Sequence, residues 1–147
     1  MIEAWFDGVC EPRNPGGHAA WGAHVEVDGI TYLHTGGYMG EGSLMSNNVA
    51  EYSGFIAAAR ECMKHAGVAE IRGDSKLVVM QLQGVWKVNG GLYMPYYEQA
   101  MDLWRVLRIR ARLKWIPRDQ NEICDVLSKA ELHARGVQFR IQPEAKR

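Results

Sequence analysis

A change of repeat along the chain is what most limits the fold. Residues 2–7 alternate, with Ile2, Ala4 and Phe6 on one face and Trp5 and Asp7 on the other, which is the period of a strand. Residues 20–27 and 30–39 flank Asp28-Gly29, a pair suited to a tight hairpin turn. From Val49 to about His65 the repeat becomes three and four, through Val49, Tyr52, Ile56, Ala59 and Met63. Strands in a block, then strands separated by helices, imply an α/β fold with a mixed sheet.

The first strand is expected to close at Asp7, before a loop over CEPRNPGG. A second loop, GEGSLMSNN, ends in residues able to cap the long helix. Next come a short strand over 68–72, a helix over about 76–82 ended by Gly84, and a loop GVWKVNGG. Pro95 suits the first turn of the following helix, whose apolar stripe is Tyr97, Met101, Trp104 and Leu107. A strand over 111–116 stops at Pro117, and a last helix over 122–134 is expected to turn Ile123, Val126, Leu127 and Ala130 inward. The expected order is βββαβααβα, with one domain over 1–134 and a polar tail over 135–147.

At 147 residues and 47% hydrophobic, the chain suits one globular core. No apolar run approaches the roughly 20 residues that span a bilayer, and the start shows no secretory signal. Cys10, Cys62 and Cys124 are odd in number and lack Cys-x-x-Cys spacing, so free thiols in a reducing cytoplasm are expected. Net charge is zero, yet residues 1–71 carry −6 and residues 72–147 carry +6. That asymmetry suits a cation-holding site beside a phosphate-holding surface, or two halves whose charges mix on folding.

Four acids fall at element ends: Asp7 after strand one, Glu51 early in the long helix, Asp74 after strand four, and Asp125 in the first turn of the last helix. Parallel α/β sheets gather their sites at the carboxyl ends of strands. Glu51 heads a second apolar stripe with Phe55, Ala58 and Cys62, so its carboxylate points inward and needs a cation, an arginine or a proton. Singly, each acid could serve as a turn residue, a cap or a favourable charge at a helix N-terminus. Together they suit hard divalent cations held by oxygen ligands, two of which, roughly 3.5–4 Å apart, form the usual device for phosphodiester hydrolysis. The five histidines are scattered and offer no zinc cluster.

The wording around these acids resembles type 1 ribonuclease H. The matching pieces are Phe6-Asp7-Gly8, Asn14-Pro15-Gly16-Gly17, Asn47-Asn48-Val49-Ala50-Glu51-Tyr52, Gly73-Asp74-Ser75, Gly84-Val85-Trp86, and Trp115-Ile116-Pro117-Arg118 leading through Asn121 to Asp125. The resemblance implies a ribonuclease H-like fold, a five-stranded mixed sheet flanked by helices. It implies two divalent cations, Mg²⁺ or Mn²⁺, with Asp7 bridging both, Glu51 and Asp74 on one, and Asp125 completing the other. It implies cleavage of the RNA strand of RNA–DNA hybrids that leaves a 3′-hydroxyl and a 5′-phosphate; a monomer is expected. Asn14, Asn47 and Asn48, with backbone around Gly8, match positions that read 2′-hydroxyls and phosphate, the group that separates RNA from DNA being the 2′-hydroxyl. Trp86 matches an aromatic that stacks on the DNA strand; the other reading is a loop anchor.

Two departures stand out. Many bacterial members carry a basic helix and loop where this chain has only GVWKVNGG, and a histidine-bearing loop where Trp115-Ile116-Pro117-Arg118 runs straight on. The chain therefore resembles the compact variant. Arg118 suits phosphate or carboxylate pairing, since a guanidinium does not shuttle protons near neutral pH. Positive charge is concentrated instead in Arg105, Arg108, Arg110, Arg112, Lys114 and Arg118. The alternatives are a catalytically inactive hybrid-binding module and a DEDD-type exonuclease, whose Asp-x-Glu is absent at Asp7-Gly8-Val9.

Overall fold

The computed structural model describes residues 1–140. Five strands, β1 (Ile2–Glu11), β2 (His18–Val27), β3 (Ile30–Glu41), β4 (Ala69–Gly73) and β5 (Ala111–Trp115), form one sheet in the order β3-β2-β1-β4-β5. The β1–β2 and β2–β3 pairs are antiparallel, and β1–β4 and β4–β5 are parallel. The expected mixed sheet is thus present. Its hairpin is turned by Asp28 and Gly29, both at positive φ (50° and 82°), as a two-residue turn of the I′ kind requires.

Helix α1 (Asn47–Met63) begins at Ser46, whose hydroxyl accepts the Val49 N–H at 3.1 Å. It packs on one sheet face, against Ile2, Ala4, Phe6 and Val25, with α2 (Lys76–Leu82) and α3 (Met94–Leu107) completing that core. Phe6 meets Phe55 edge-on at 5.6 Å, and Tyr52 gives its hydroxyl proton to Gln81, which in turn donates to Tyr93. Gly8 lets β1 approach α1: a Cβ there would strike the Glu51 and Ala50 backbone.

Helix α4 (Glu122–His133) covers β1, β2 and β3 from the other face, and the expected inward stripe holds only at Leu127, which is half-buried against Gly22. Cys124, Ser128 and Leu132 are buried, whereas Ile123 and Val126 are 47% and 63% exposed and Ala130 is exposed too. The helix lies so close to the sheet that only small groups fit beneath it. Cβ atoms at Gly22 and Gly36 would collide with the Cys124 and Leu127 carbonyl oxygens.

Two other boundaries shift. Strand β1 does not close at Asp7 but runs on to Glu11, paired with β2 throughout; only its parallel pairing with β4 stops, at Phe6 and Gly73. Of the expected tail, Val137 and Phe139 pack with Val9, Ala20 and Leu132 in a small second core. Residues 141–147 lie outside the described residues.

Candidate active site

The end of the β1–β4 pairing builds the site. Because β4 stops opposite Phe6, Asp7 is the first β1 residue without a parallel neighbour, and Asp74 follows directly on Gly73. Glu51 arrives from the second turn of α1 and Asp125 from the first turn of α4. Asp7, Glu51 and Asp74 each offer an oxygen within 4.8 Å of the others. Asp125 stands slightly apart, its Oδ2 accepting from Lys129 Nζ at 3.1 Å one turn later.

The cluster is electrostatically unfavourable as it stands. Asp7 and Glu51 are each 5% exposed. Burial, then the Asp74 charge, hold the Asp7 carboxyl well above its ordinary range, although the Gly8 N–H donates to it at 2.8 Å. Burial, then Asp7 and Asp74, do the same to Glu51, with Arg118 pulling the other way. Asp74 is raised as well, by burial first, against the Arg118 charge. Glu51 Oε1 and Asp74 Oδ2 are buried and make no hydrogen bond. A buried carboxylate oxygen without a donor is what a cation site presents when only its protein ligands are considered.

Asp7, Glu51 and Asp125, but not Asp74, border a cleft of about 370 Å³ lined also by Gly8, Asn14, Asn47, Arg118, Lys129 and Arg140. Asn14 Oδ1 accepts the Asn47 N–H at 2.8 Å, tying the loop after β1 to the start of α1. Asn48 and Trp86 are not among the cleft's lining residues; Trp86 is 45% exposed beyond α2. Asn121 was quoted above only as part of a motif, yet it is 1% exposed and donates to the Phe6 carbonyl at 2.8 Å, fixing the start of α4 against β1. Its spacing to Asp125 was the available signal. Lys129 carried the i, i+4 spacing to Asp125 on one helix, whereas Arg140 carried none, because its approach depends on the chain beyond α4 folding back.

The model of the reverse transcriptase-like family matches residues 6–131. The RNase H1 of Halobacterium salinarum NRC-1 superposes with a TM-score of 0.77 at 31% identity, covering 90% of this chain and 98% of that one. This chain belongs to the type 1 ribonuclease H family. The N-terminal RNase H domain of a Mycobacterium tuberculosis protein, solved as a fusion with maltose binding protein, gives 0.78 at 32% identity, over 92% and 97% of the two chains. LC11-RNase H1, solved in complex with RNA/DNA hybrid, gives 0.75 at 27% identity, over 88% and 95%. The chain spans about a quarter (24%) of the length of the curated mycobacterial relatives it matches, and 64% of the Halobacterium salinarum Ribonuclease HI.

The cations concentrated between Arg105 and Arg118 serve different ends in the fold. Arg110 is structural: it donates to the Cys62 and Gly67 carbonyls at 3.3 and 2.8 Å, closing the end of α1. Arg105 pairs with Asp102 at 3.3 Å. Of the six cations named above, Arg118 is the one that lines the cleft. Among the described residues no histidine lines it.

Proposed function

We propose that this chain is an endonuclease that hydrolyses the RNA strand of RNA–DNA hybrids with divalent cations, Mg²⁺ or Mn²⁺. The observation that carries this reading is the Asp7–Glu51–Asp74 cluster, two of whose buried carboxylate oxygens have no donor, with Asp7 and Glu51 lining a polar cleft. In the reaction a water oxygen attacks phosphorus, the P–O3′ bond breaks, and the leaving 3′-oxygen takes a proton, giving a 3′-hydroxyl and a 5′-phosphate. Bound cations supply a hydroxide at neutral pH and charge stabilisation of the leaving oxygen. Asp7, Glu51, Asp74 and Asp125 would hold them, Asp7 between the other three.

The remaining groups position the substrate. Asn14, Asn47 and Asn48, with the Gly8 backbone, would bind ribose hydroxyls and phosphate of the cut strand. Arg118 offsets the cluster's negative charge without taking part in proton transfer. Trp86, on an exposed loop, is available to stack on the DNA strand. The setting proposed is a monomer in the cytoplasm, where Cys10, Cys62 and Cys124, all free and buried, stay reduced.

A labelled hybrid, a DNA duplex of the same sequence and single-stranded RNA, each incubated with Mg²⁺ or Mn²⁺ and resolved on a gel, tests the reading. The hybrid's RNA strand is cut internally, and the DNA duplex survives. Equal rates on hybrid and DNA duplex, or metal-independent cutting, would overturn it.

A further inference from the structure

The segment after α4 has no part in the reading above, yet it walls the same cleft. Past Gly136, at φ 70°, the chain turns back, and the Phe139 ring stacks on His133 at 4.6 Å with an interplanar angle of 4°. Arg140 then docks on the end of β1. Its backbone N–H and Nε both donate to Glu11 Oε1 at 3.0 Å, and Nη2 donates to Glu11 Oε2 at 3.2 Å and to the Cys10 carbonyl at 2.8 Å. Nη1 bonds no described residue, the side chain is 46% exposed, and Arg140 lines the cleft that holds Asp7.

A guanidinium has two edges. Here Glu11 takes the Nε–Nη2 edge and the Cys10 carbonyl takes the second Nη2 proton, which removes most of the rotamer freedom and leaves the Nη1 donors without a partner among the described residues. That is the arrangement of an arginine already oriented for an anion. We propose that Arg140 is a phosphate-binding residue of the substrate groove, held by Glu11 and contacting the hybrid backbone away from the scissile phosphate. Glu11 lies four residues beyond Asp7 on β1, about 14 Å at 3.4 Å per residue, so the contact falls on a phosphate other than the one that is cut. The contact supplies part of the grip that the absent basic element gives other family members.

The inference rests on the hybrid as substrate but not on cleavage, so its test reads binding, with Ca²⁺ replacing the catalytic cation. Arg140→Ala should weaken hybrid binding about tenfold, the size of one hydrogen bond to a charged group. It should also flatten the log–log salt dependence by about 0.7–0.9. Single neutral methylphosphonates are then walked along each strand. In the wild-type protein a position away from the cut should weaken binding, and in Arg140→Ala that same substitution should add nothing. A position-independent, additive loss would mean that Arg140 acts only as a staple, and an unchanged salt slope would overturn the inference as well. If Arg140→Ala fails to fold, a flat wild-type methylphosphonate profile is sufficient to reject it. Binding that depends on Arg140 in a protein that does not cut the hybrid would uphold this inference and reject the nuclease reading.

Discussion

Helix α1 carries two buried glutamates at its two ends, and their surroundings are opposite. Glu61, 8% exposed, accepts from His65 Nε2 at 2.8 Å and from Lys64 Nζ at 3.4 Å. Glu51, 5% exposed, leaves Oε1 without a donor and faces two more acids. Burial is therefore common to a structural and a candidate catalytic carboxylate. What separates them is whether the protein supplies the counter-charge or leaves it to something from solution.

The largest expected contrast is in activity. Glu51→Gln or Asp7→Asn should lower the cleavage rate by more than about 10²-fold, beyond what even outer-shell partners of a metal typically contribute. Glu61→Gln should remain within about threefold of the wild type, as in substitutions away from a site. Single-turnover kinetics on a hybrid measure both, and substantial Mg²⁺-dependent cutting by Asp7→Asn would remove the metal assignment.

Stability should move in opposite directions. Glu61→Gln loses a charged partner for His65 and Lys64 and should destabilise by about 1 kcal/mol. Glu51→Gln relieves like-charge repulsion and should stabilise the metal-free protein. Urea unfolding in EDTA compares them; destabilisation of equal size by both would mean that Glu51 is a structural acid like Glu61.

The smallest effect is the pH dependence of the metal-free protein. Asp7 and Glu51 hold their protons more tightly folded than at the ordinary values of 3.8 and 4.5. The folded state therefore binds more protons, so their contribution to stability is full below those values and is lost as pH rises through the raised folded ones. The difference between wild type and Glu51→Gln should widen against the wild type from about pH 4 upward, and saturating Mg²⁺ should close it. Thermal melts across pH with and without Mg²⁺ provide the check; a difference that narrows with rising pH contradicts the cluster's electrostatics.

Much of this architecture was legible in the chain. Alternation in β1, the Asp28-Gly29 turn and the helical repeat from Val49 report local backbone periods, which depend on near neighbours alone. The four acids were legible as a set because each was expected at an element end, although Asp7 lies within β1, at the end only of its pairing with β4. Glu51 stood out because it heads the stripe of Phe55, Ala58 and Cys62. The misread elements are those whose burial is decided by a distant partner. Ile123 and Val126 form the more apolar stripe of α4, but Gly22 and Gly36 draw the helix down so closely that Cys124 and Ser128 go inside. Arg110 belonged to a basic run, yet its bonds to Cys62 and Gly67 occur only because β5 returns beside the end of α1.

By itself, then, the sequence determined the order of elements, the mixed sheet and which carboxylates could meet. Tertiary structure alone decided that β4 stops one residue before Asp7 and that Glu61 finds a histidine while Glu51 finds other acids. It also decided that Arg140, 129 residues from Glu11 along the chain, sits at the end of β1. Repeat and turn chemistry act over a few residues. Counter-charges and close approaches are set by strand register and helix docking, which bring together residues that carry no mark of one another in the sequence.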